Sequence, residues 1–459
     1  MKILFIANGY PPRRWAGTET YTAGLAKELQ RRGHFVQVLC AGEWDKGPAY
    51  LNGAEDDLHD GIQVRRLNLN WQKAPDVFRY LYDDPVVEQY LVNLLTLDRP
   101  DLVHVTSCET LSASVLRAAK RTGLPAVLSL TDFWFLCPRM TLLHGDGALC
   151  DGQTTPWQCL RCMLYSGKAY RWPKRLLPDR LLGPILLEIS RHSSLTRQRG
   201  LRGMAGDMAN RKALLREMLQ WPEVRTTASA FVRDIFQANG VSSPIRVQPY
   251  GHDLAWLHDY PGNTPSSRIR FGYIGQIASL KGAHLLVEAV RHLEALFPGR
   301  FTLSVYGNLQ ADEQYGERLR ALAAGSESVR FRGTYAHERT GEVFTNLDVL
   351  VVPSTWYDFP LIIHEAFAAE VPVIATKLGG MAEVVTHEVN GLLFERGNVA
   401  DLTRQLARMV AEPQTVDRLR AGIQPVRTVA DEVTELEAIY EHTCRKGAAR
   451  GRDVKEVLA

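Results

Sequence analysis

At 459 residues the chain exceeds what one hydrophobic core usually serves, so two domains of roughly 200 residues each are expected. A formal net charge of +3 with 23% charged residues is too balanced for a nucleic-acid binder and leaves any basic function local. Seven cysteines, an odd number, and no export-type leader point to a reducing cytoplasm, and no apolar run approaches the ~20 residues of a membrane span.

The opening "MKILFIANGYPP" has a short apolar run ended by Asn, Gly and Pro, so it reads as a buried first strand rather than a signal peptide. "KILFIA", "FVQVLC", "LVHVTS" and "AVLSLT" read as parallel strands, with "GTETYTAGLAKELQRRG" and "TLSASVLRAAKRTG" as crossover helices. This is a Rossmann-like half. Its first strand-to-helix turn lacks G-x-G-x-x-G, which argues against a nicotinamide or flavin dehydrogenase, and no Walker loop occurs.

Cys137, Cys150, Cys159 and Cys162 fall in "CPRMTLLHGDGALCDGQTTPWQCLRC", a Gly-rich loop with little core of its own. Four thiols at this density suit a structural zinc in a closed ligand set; an iron–sulfur cluster or unligated thiols are the alternatives, and His144 reads as a loop residue. The insert that follows, 163–220, is basic at its start: residues 163–202 hold nine Lys or Arg against the two acids Asp179 and Glu188. Interleaved Tyr, Trp and Leu residues fit a helix lying on an anionic membrane surface, each cation adding about 1 kcal/mol. The other reading is a helical hairpin that packs its leucines inward, and Pro173, Pro178 and Pro184 favour it by interrupting any long helix.

"YGHDLAWLHDYPGNTPSSR" is rich in Gly, Pro and Ser and reads as the linker. A second doubly wound α/β series follows through "IRFGYIG", "FTLSVYG", "VRFRGTY", "LDVLVVPS" and "VPVIAT". In "GYIGQIASLKG" a turn with Gly275 follows the strand and Lys281 stands just before the next helix; backbone N–H groups, a positive helix end and an ammonium together suit a diphosphate. Read singly, such a lysine is more often a solvated surface residue. "LDVLVVPS" is a buried strand, "TWYD" a turn, Asp358 an expected N-cap and Pro360 a first-turn residue. Glu365, further along that helix, is placed to accept hydrogen bonds from a sugar's vicinal hydroxyls, or else is a carboxylate satisfied structurally. The C-terminal "TVADEVTELEAIYEHTCRKG" has helical periodicity through Val433, Leu436, Ile439 and Tyr440.

The stretch "PSTWYDFPLIIHEAFAAEVPVIATKLGGMAEVVTHEVNGLLF", with "GYPPRRWAGTETYTAGLAKELQRRGHFVQVL", "LVHVTS", "TDFWFLCPRM", "VQPYGHD" and "GYIGQIASLKG", resembles the family 4 retaining glycosyltransferases. The resemblance implies the GT-B fold: two Rossmann-like domains facing a central cleft, 1–255 and 256–425, with a C-terminal helix in 426–459 crossing back to the first. It implies a donor site for a nucleotide-diphosphate sugar. In it Glu365 holds the ribose and Lys281 the phosphate, beside Gly275, while Tyr357, Phe359, Pro360 and Leu361 face diphosphate and sugar and Gly379, Gly380 and Glu383 open the next helix. Gly17 and Thr18 match a flexible loop that closes over donor and acceptor, and Thr131, Asp132 and Arg139 match a segment lining the reaction centre. No catalytic metal is implied, and no strand here ends in Asp-any-Asp.

Three positions depart from that pattern: Tyr357 stands where the first glutamate of the family's pair is expected, Gln276 where an arginine is, and Thr131 where a histidine is. Asp358, one position along, is assigned the missing glutamate's part. The expected function is transfer of a hexose with retention to a glycan or lipid-linked acceptor in cell-surface polysaccharide or glycolipid synthesis, in the cytoplasm or peripherally on the inner membrane face. The alternatives are a catalytically silent homologue acting as a scaffold and a sugar-nucleotide epimerase.

Overall fold

The structure, a computed structural model, describes residues 1–164, 204–357 and 359–457. The chain divides into two compact units, residues 1–250 with 429–459, and residues 251–428. Among the described residues no helix is long and apolar enough to cross a membrane.

The first unit is built on β1 (Lys2–Ile6), β2 (Phe35–Trp44), β3 (Leu51–His59), β4 (Ile62–Leu69), β5 (Leu102–Val105), β6 (Ala126–Ser129), β7 (Val224–Thr227) and β8 (Arg246–Val247), in the order β3-β4-β2-β1-β5-β6-β7-β8. β1 lies at the centre, parallel to both β2 and β5, and Ile3, Phe5 and Ile6 are fully buried. A strand covered on both faces needs a continuous apolar run, which is what "KILFI" supplies. The helices are α1 (Gly17–Arg31), α2 (Val77–Tyr80), α3 (Pro85–Asp98), α4 (Ser114–Thr122), α5 (Pro156–Leu164), α6 (Met204–Met218) and α7 (Ala230–Ala238). α3 starts where it does because the Asp84 carboxylate accepts from the N–H groups of Val86 and Val87 and Pro85 takes the first position, which needs no donor.

The hairpin β3–β4, whose strands were not among those read from the sequence, pairs antiparallel. Asp60 and Gly61, at φ 50° and 79°, make its two-residue turn, the left-handed geometry that a tight hairpin requires.

Within the same unit runs α15 (Val429–Val457), whose Val433, Leu436, Ile439 and Tyr440 are all buried. Its attachment is also polar. The Tyr440 hydroxyl lies 2.6 Å from His104 Nδ1 on β5, His104 Nε2 lies 2.8 Å from the Ser129 hydroxyl on β6, and Tyr21 on α1 donates to Glu432. Burial holds His104 neutral, pushing it down to about 3.

The second unit carries β9 (Ile269–Ile274), β10 (Phe301–Tyr306), β11 (Val329–Gly333), β12 (Val349–Val352), β13 (Val373–Thr376) and β14 (Gly391–Phe394), all parallel, in the order β11-β10-β9-β12-β13-β14. Its helices are α8 (Ala283–Leu296), α9 (Glu313–Ala323), α10 (Thr340–Phe344), α11 (Leu361–Ala368), α12 (Gly379–Val384), α13 (Val399–Ala411) and α14 (Gln414–Arg420). One core packs Phe271, Leu286, Val290, Leu303, Leu406 and Met409. A second gathers Trp256, Phe344, Ile363, Phe367 and Met381.

Both sheets have a switch point, β1/β5 in the first and β9/β12 in the second, from which the strand order runs outward in opposite directions. Open α/β sheets take ligands at the carboxyl ends of the strands flanking such a point. Removing the hydroxyl at the end of the α15 network leaves a buried imidazole nitrogen without its partner, so Tyr440→Phe is expected to lower stability by about 1–2 kcal/mol. Urea denaturation measures this, and an unchanged midpoint would dismiss the network as a stabilising element.

Candidate functional site

In the second unit, the carboxyl ends of β9 and β12 are joined by backbone. Thr355 N–H donates to the Leu280 carbonyl at 2.8 Å, and the Thr355 and Ser354 hydroxyls point to the same oxygen at 3.2 and 3.3 Å. Gly282, at φ 72°, sits against Pro353 so tightly that a Cβ there would stand 1.9 Å from the Pro353 oxygen. Only glycine meets both the left-handed conformation and the close approach. The turn from Gly275 through Lys281 is thereby locked beside the 353–357 turn, with Lys281 Nζ 5.5 Å from the Trp356 ring centroid. Gln276 is exposed on this turn, its carbonyl accepting from the Tyr273 hydroxyl.

α11 begins at Leu361 with Pro360 as its N-cap and no side-chain cap bond, so Pro360 stands just outside the helix rather than in its first turn. Proline gives no N–H, and the donors at this end come from the residues that follow. The half-buried Tyr357 and Phe359 flank this entry; Asp358 lies outside the described residues. Glu365 is the fifth residue of α11 and keeps part of its surface open. Burial is the main cause that raises its pKa; the charge of Asp253 adds to it and that of His337 opposes it. Gly379 and Gly380 are the first residues of α12, the next helix along the sheet edge, with Gly379 at φ 51° and Glu383 exposed further along.

Three residues not foreseen from sequence join this edge. Arg396, just after β14, donates from Nε to the Thr355 carbonyl at 2.6 Å. His252 and His364 stack with ring centroids 4.2 Å apart and planes 17° apart, and Phe359 leans on His364 at 5.5 Å. Burial keeps both imidazoles neutral, pushing His252 down to about 3 and His364 to about 4. His364 directly precedes Glu365 in "IIHEA", and that adjacency was the available signal.

In the first unit, the edge at β1/β5 and β6 holds Asn8, Glu109, Thr131 and Asp132. Asn8 Nδ2 donates to Glu109 at 2.7 Å, the Thr110 hydroxyl bonds the Asn8 oxygen, and the Thr131 hydroxyl donates to the Thr106 carbonyl at 3.0 Å. The Asp132 carboxylate accepts from the Trp134 N–H at 2.7 Å. Glu19 on α1, only 5% exposed, completes a group of three carboxylates. Burial first, then the charges of Asp132 and Glu19, push Glu109 up to about 7; burial, with Glu19 adding, pushes Asp132 up to about 6 against the Trp134 N–H and the Arg211 guanidinium. Such an edge holds a proton near neutral pH and can pass it to or take it from a hydroxyl. Glu109 and Glu19 were not singled out from sequence, although "TSCET" directly follows β5.

Gly17 and Thr18 differ from the resemblance-based expectation: they are not in a loop but form the first turn of α1, whose cap, Ala16, offers no side-chain bond. Arg139 donates from Nη1 to the Cys162 carbonyl at 3.2 Å. The four cysteines 137, 150, 159 and 162 are all free thiols, and among the described residues no group of three or more His, Cys, Asp or Glu side chains stands ready to hold a metal. The basic stretch 165–203, with its proposed membrane face, lies outside the described residues.

Comparison with known proteins agrees with this layout. Residues 16–251 match the model of the glycosyl transferase 4-like domain, and residues 268–412 match that of glycosyl transferases group 1. A D-inositol 3-phosphate glycosyltransferase of Streptomyces bingchenggensis is 33% identical over 157 residues, covering 33% of this chain and 34% of that protein. One from Nocardia farcinica is 32% identical over 231 residues, covering 45% and 51%. The chain thus aligns with a third to a half of the length of these curated relatives. Among solved structures, Anabaena HepE in complex with UDP and glucose superposes with a TM-score of 0.62 over 96% of this chain and 99% of that one, at 18% identity. The fold is GT-B.

Gly282→Ala must move the Pro353 carbonyl or abandon the turn, so a loss of at least about 2 kcal/mol is expected in chemical denaturation. For Glu109 the folded state holds the proton more tightly than an ordinary glutamate of 4.5, so its stabilisation is full below that pH and is lost as pH rises through about 7. Glu109→Gln is therefore expected to reduce the fall in stability between pH 5 and pH 8 by about 2 kcal/mol. Identical pH slopes for the two proteins would exclude a buried proton on Glu109.

Proposed function

Since the chain belongs to the glycosyl transferase 4-like family, we propose that it is a glycosyltransferase moving a hexose from a nucleotide-diphosphate sugar to an acceptor hydroxyl. The observation that carries this reading is the β9/β12 edge. A glycine-locked turn, Lys281 and the start of α11 converge there, with Glu365 one helical turn deeper. Backbone N–H groups and an ammonium neutralise phosphate charge, and Glu365 accepts from the ribose hydroxyls. Gly379 and Gly380 let backbone approach the sugar. No divalent ion is required at this donor site, because Lys281 and the helix end supply the positive field.

Acceptor activation is assigned to the first unit. Asp132 and Glu109 sit at its switch-point edge with raised proton affinity. In a same-face displacement the leaving diphosphate assists removal of the acceptor proton and the hexose keeps its anomeric configuration, so the protein's part is orientation and charge stabilisation. The acceptor is a glycan or a lipid-linked sugar, and the setting is cytoplasmic synthesis of a surface polysaccharide or glycolipid. The basic segment 163–202 holds the enzyme on the inner membrane face. A structural role for the Cys-rich loop 137–162 is compatible with this function and does not enter the reaction.

A second reading is favoured by Tyr357, Gln276 and Thr131, which replace the polar groups expected there: a silent homologue that binds partners in a biosynthetic complex. Incubation with a panel of nucleotide sugars in chelating buffer separates the two. An enzyme releases free nucleotide slowly by hydrolysis, and a scaffold releases none. In calorimetry, Glu365→Ala is expected to weaken nucleotide binding by about 2 kcal/mol, about 30-fold, through the lost hydrogen bonds to the ribose. Unchanged affinity removes Glu365 from the donor site.

A further inference from the structure

α1 carries a carboxylate that the fold does not use. Glu19, its third residue, is buried, yet among the described residues it makes no hydrogen bond and no ion pair. A carboxylate taken out of water without a partner is costly to a fold, and its retention points to a partner that arrives from outside. Hydrogen bonds show what Glu19 faces. Three residues further along α1, and so on the same face, the Thr22 hydroxyl lies 2.8 Å from that of Thr106, just past β5. Thr106 N–H donates to the Ile6 carbonyl at the end of β1, and the Thr106 carbonyl accepts from the Thr131 hydroxyl past β6. Thr106 therefore ties α1, β1, β5 and β6 together at one level. Glu19, one turn nearer the start of α1, stands beyond that knot, on the side where Asn8 donates to Glu109 and the Trp134 N–H donates to Asp132. Asn8, Glu109 and Asp132 all keep surface open.

The three carboxylates do not converge on a point: among the described residues no group of three is placed to hold a metal ion. Spread along an open edge, they offer separate acceptors, an arrangement that meets several hydroxyls of one ring. The edge continues onto an aromatic shelf. Ala41 N–H donates to the Asn8 carbonyl at 3.3 Å, and β2 runs on three residues past that point to Trp44, which is 46% exposed. Gly9 leaves room for Arg14 to lie on the backbone, since a Cβ at Gly9 would stand 2.5 Å from Arg14 Cδ. The Arg14 guanidinium reaches from there to 4.2 Å from the Trp44 ring centroid. Trp15, in the same loop, is 62% exposed, with its ring edge-on to His59 at 6.3 Å. Exposed indoles beside carboxylates suit a sugar: the C–H face of a pyranose lies on the indole while its hydroxyls turn to the oxygens.

We propose that Glu19 and the Trp44 shelf form the acceptor subsite for an uncharged sugar, with Glu19 accepting from hydroxyls of the receiving ring and Trp44 carrying the next ring of the chain. This rests on the glycosyltransferase reading and narrows it. The acceptor is then a glycan of at least two rings. A phosphorylated sugar is refused, because its charge would stand against Glu19, Glu109 and Asp132, and Arg14 is the one cation on the Trp44 side of that edge among the residues described above.

The test is saturation-transfer NMR on the full chain, which reads binding without turnover. The probes are the methyl glycosides of glucose, galactose and mannose, the disaccharides cellobiose and lactose, and glucose 6-phosphate. Saturation is expected to reach uncharged glycosides, on both rings of a disaccharide, and not the phosphate. Trp44→Ala, at an exposed position, should lose the signal of one ring and keep that of the other. Glu19→Gln should weaken binding about 5-fold through loss of a charge-assisted hydrogen bond. The same substitution should leave the urea midpoint unchanged or raised, because it discharges a buried group that has no partner; a carboxylate kept for structure would lower it. The proposal is overturned if no uncharged glycoside binds, if glucose 6-phosphate binds as tightly as they do, or if Glu19→Gln leaves the affinity unchanged or lowers the midpoint. Hydrolysis of nucleotide sugars separates the two levels. Nucleotide release without glycoside binding defeats this acceptor assignment alone, whereas glycoside binding without nucleotide release upholds the sugar site and defeats the transferase reading.

Discussion

The oxygen of Pro353 occupies the space where a side chain at position 282 would begin, and much of the second unit's chemistry follows from that contact. It brings two loops from neighbouring strands into backbone register, with Leu280 accepting from Ser354 and Thr355 and Arg396 donating to the same turn. A cationic side chain and a helix entry are then fixed by main chain rather than by mobile side chains. Preorganisation of this kind is what recognition of a phosphate group needs, since the donors lose little freedom when the anion arrives.

The first unit solves a different problem. Its edge collects three carboxylates, Glu19, Glu109 and Asp132, around Asn8 and Thr110, and burial together with the neighbouring charges makes Glu109 and Asp132 hold protons that isolated carboxyls would have released. Such a cluster is costly to the fold. It persists because strands β1, β5 and β6 present their ends there side by side and because the Trp134 N–H and Arg211 offset part of the charge.

Which parts of this were readable in the sequence follows from burial. β1 and β12 are covered on both faces, so their continuous apolar runs announce them. β3 is an edge strand with Gly53, Glu55, Asp56 and Asp57 along it, and its pairing is visible only in the Asp60–Gly61 turn. Lys281 and Glu365 were legible because each follows a recognisable strand at short range. Glu109, Glu19 and the His252–His364 stack were not, because their environment is assembled from segments far apart in the chain. Pro360 was placed one step too far into its helix, the usual uncertainty at an element's end.

The last helix belongs to the unit begun by the first strand, while residues 251–428 form a unit of their own. His104 on β5 has no partner for its Nδ1 until Tyr440 arrives, and Glu432 and Tyr21 wait for each other across 411 positions. On the ribosome the intervening unit therefore has its whole sequence available before its predecessor does. The first-begun half is the last to close, and a chain halted after residue 428 but before residue 440 has a complete inner unit attached to an unsealed outer one.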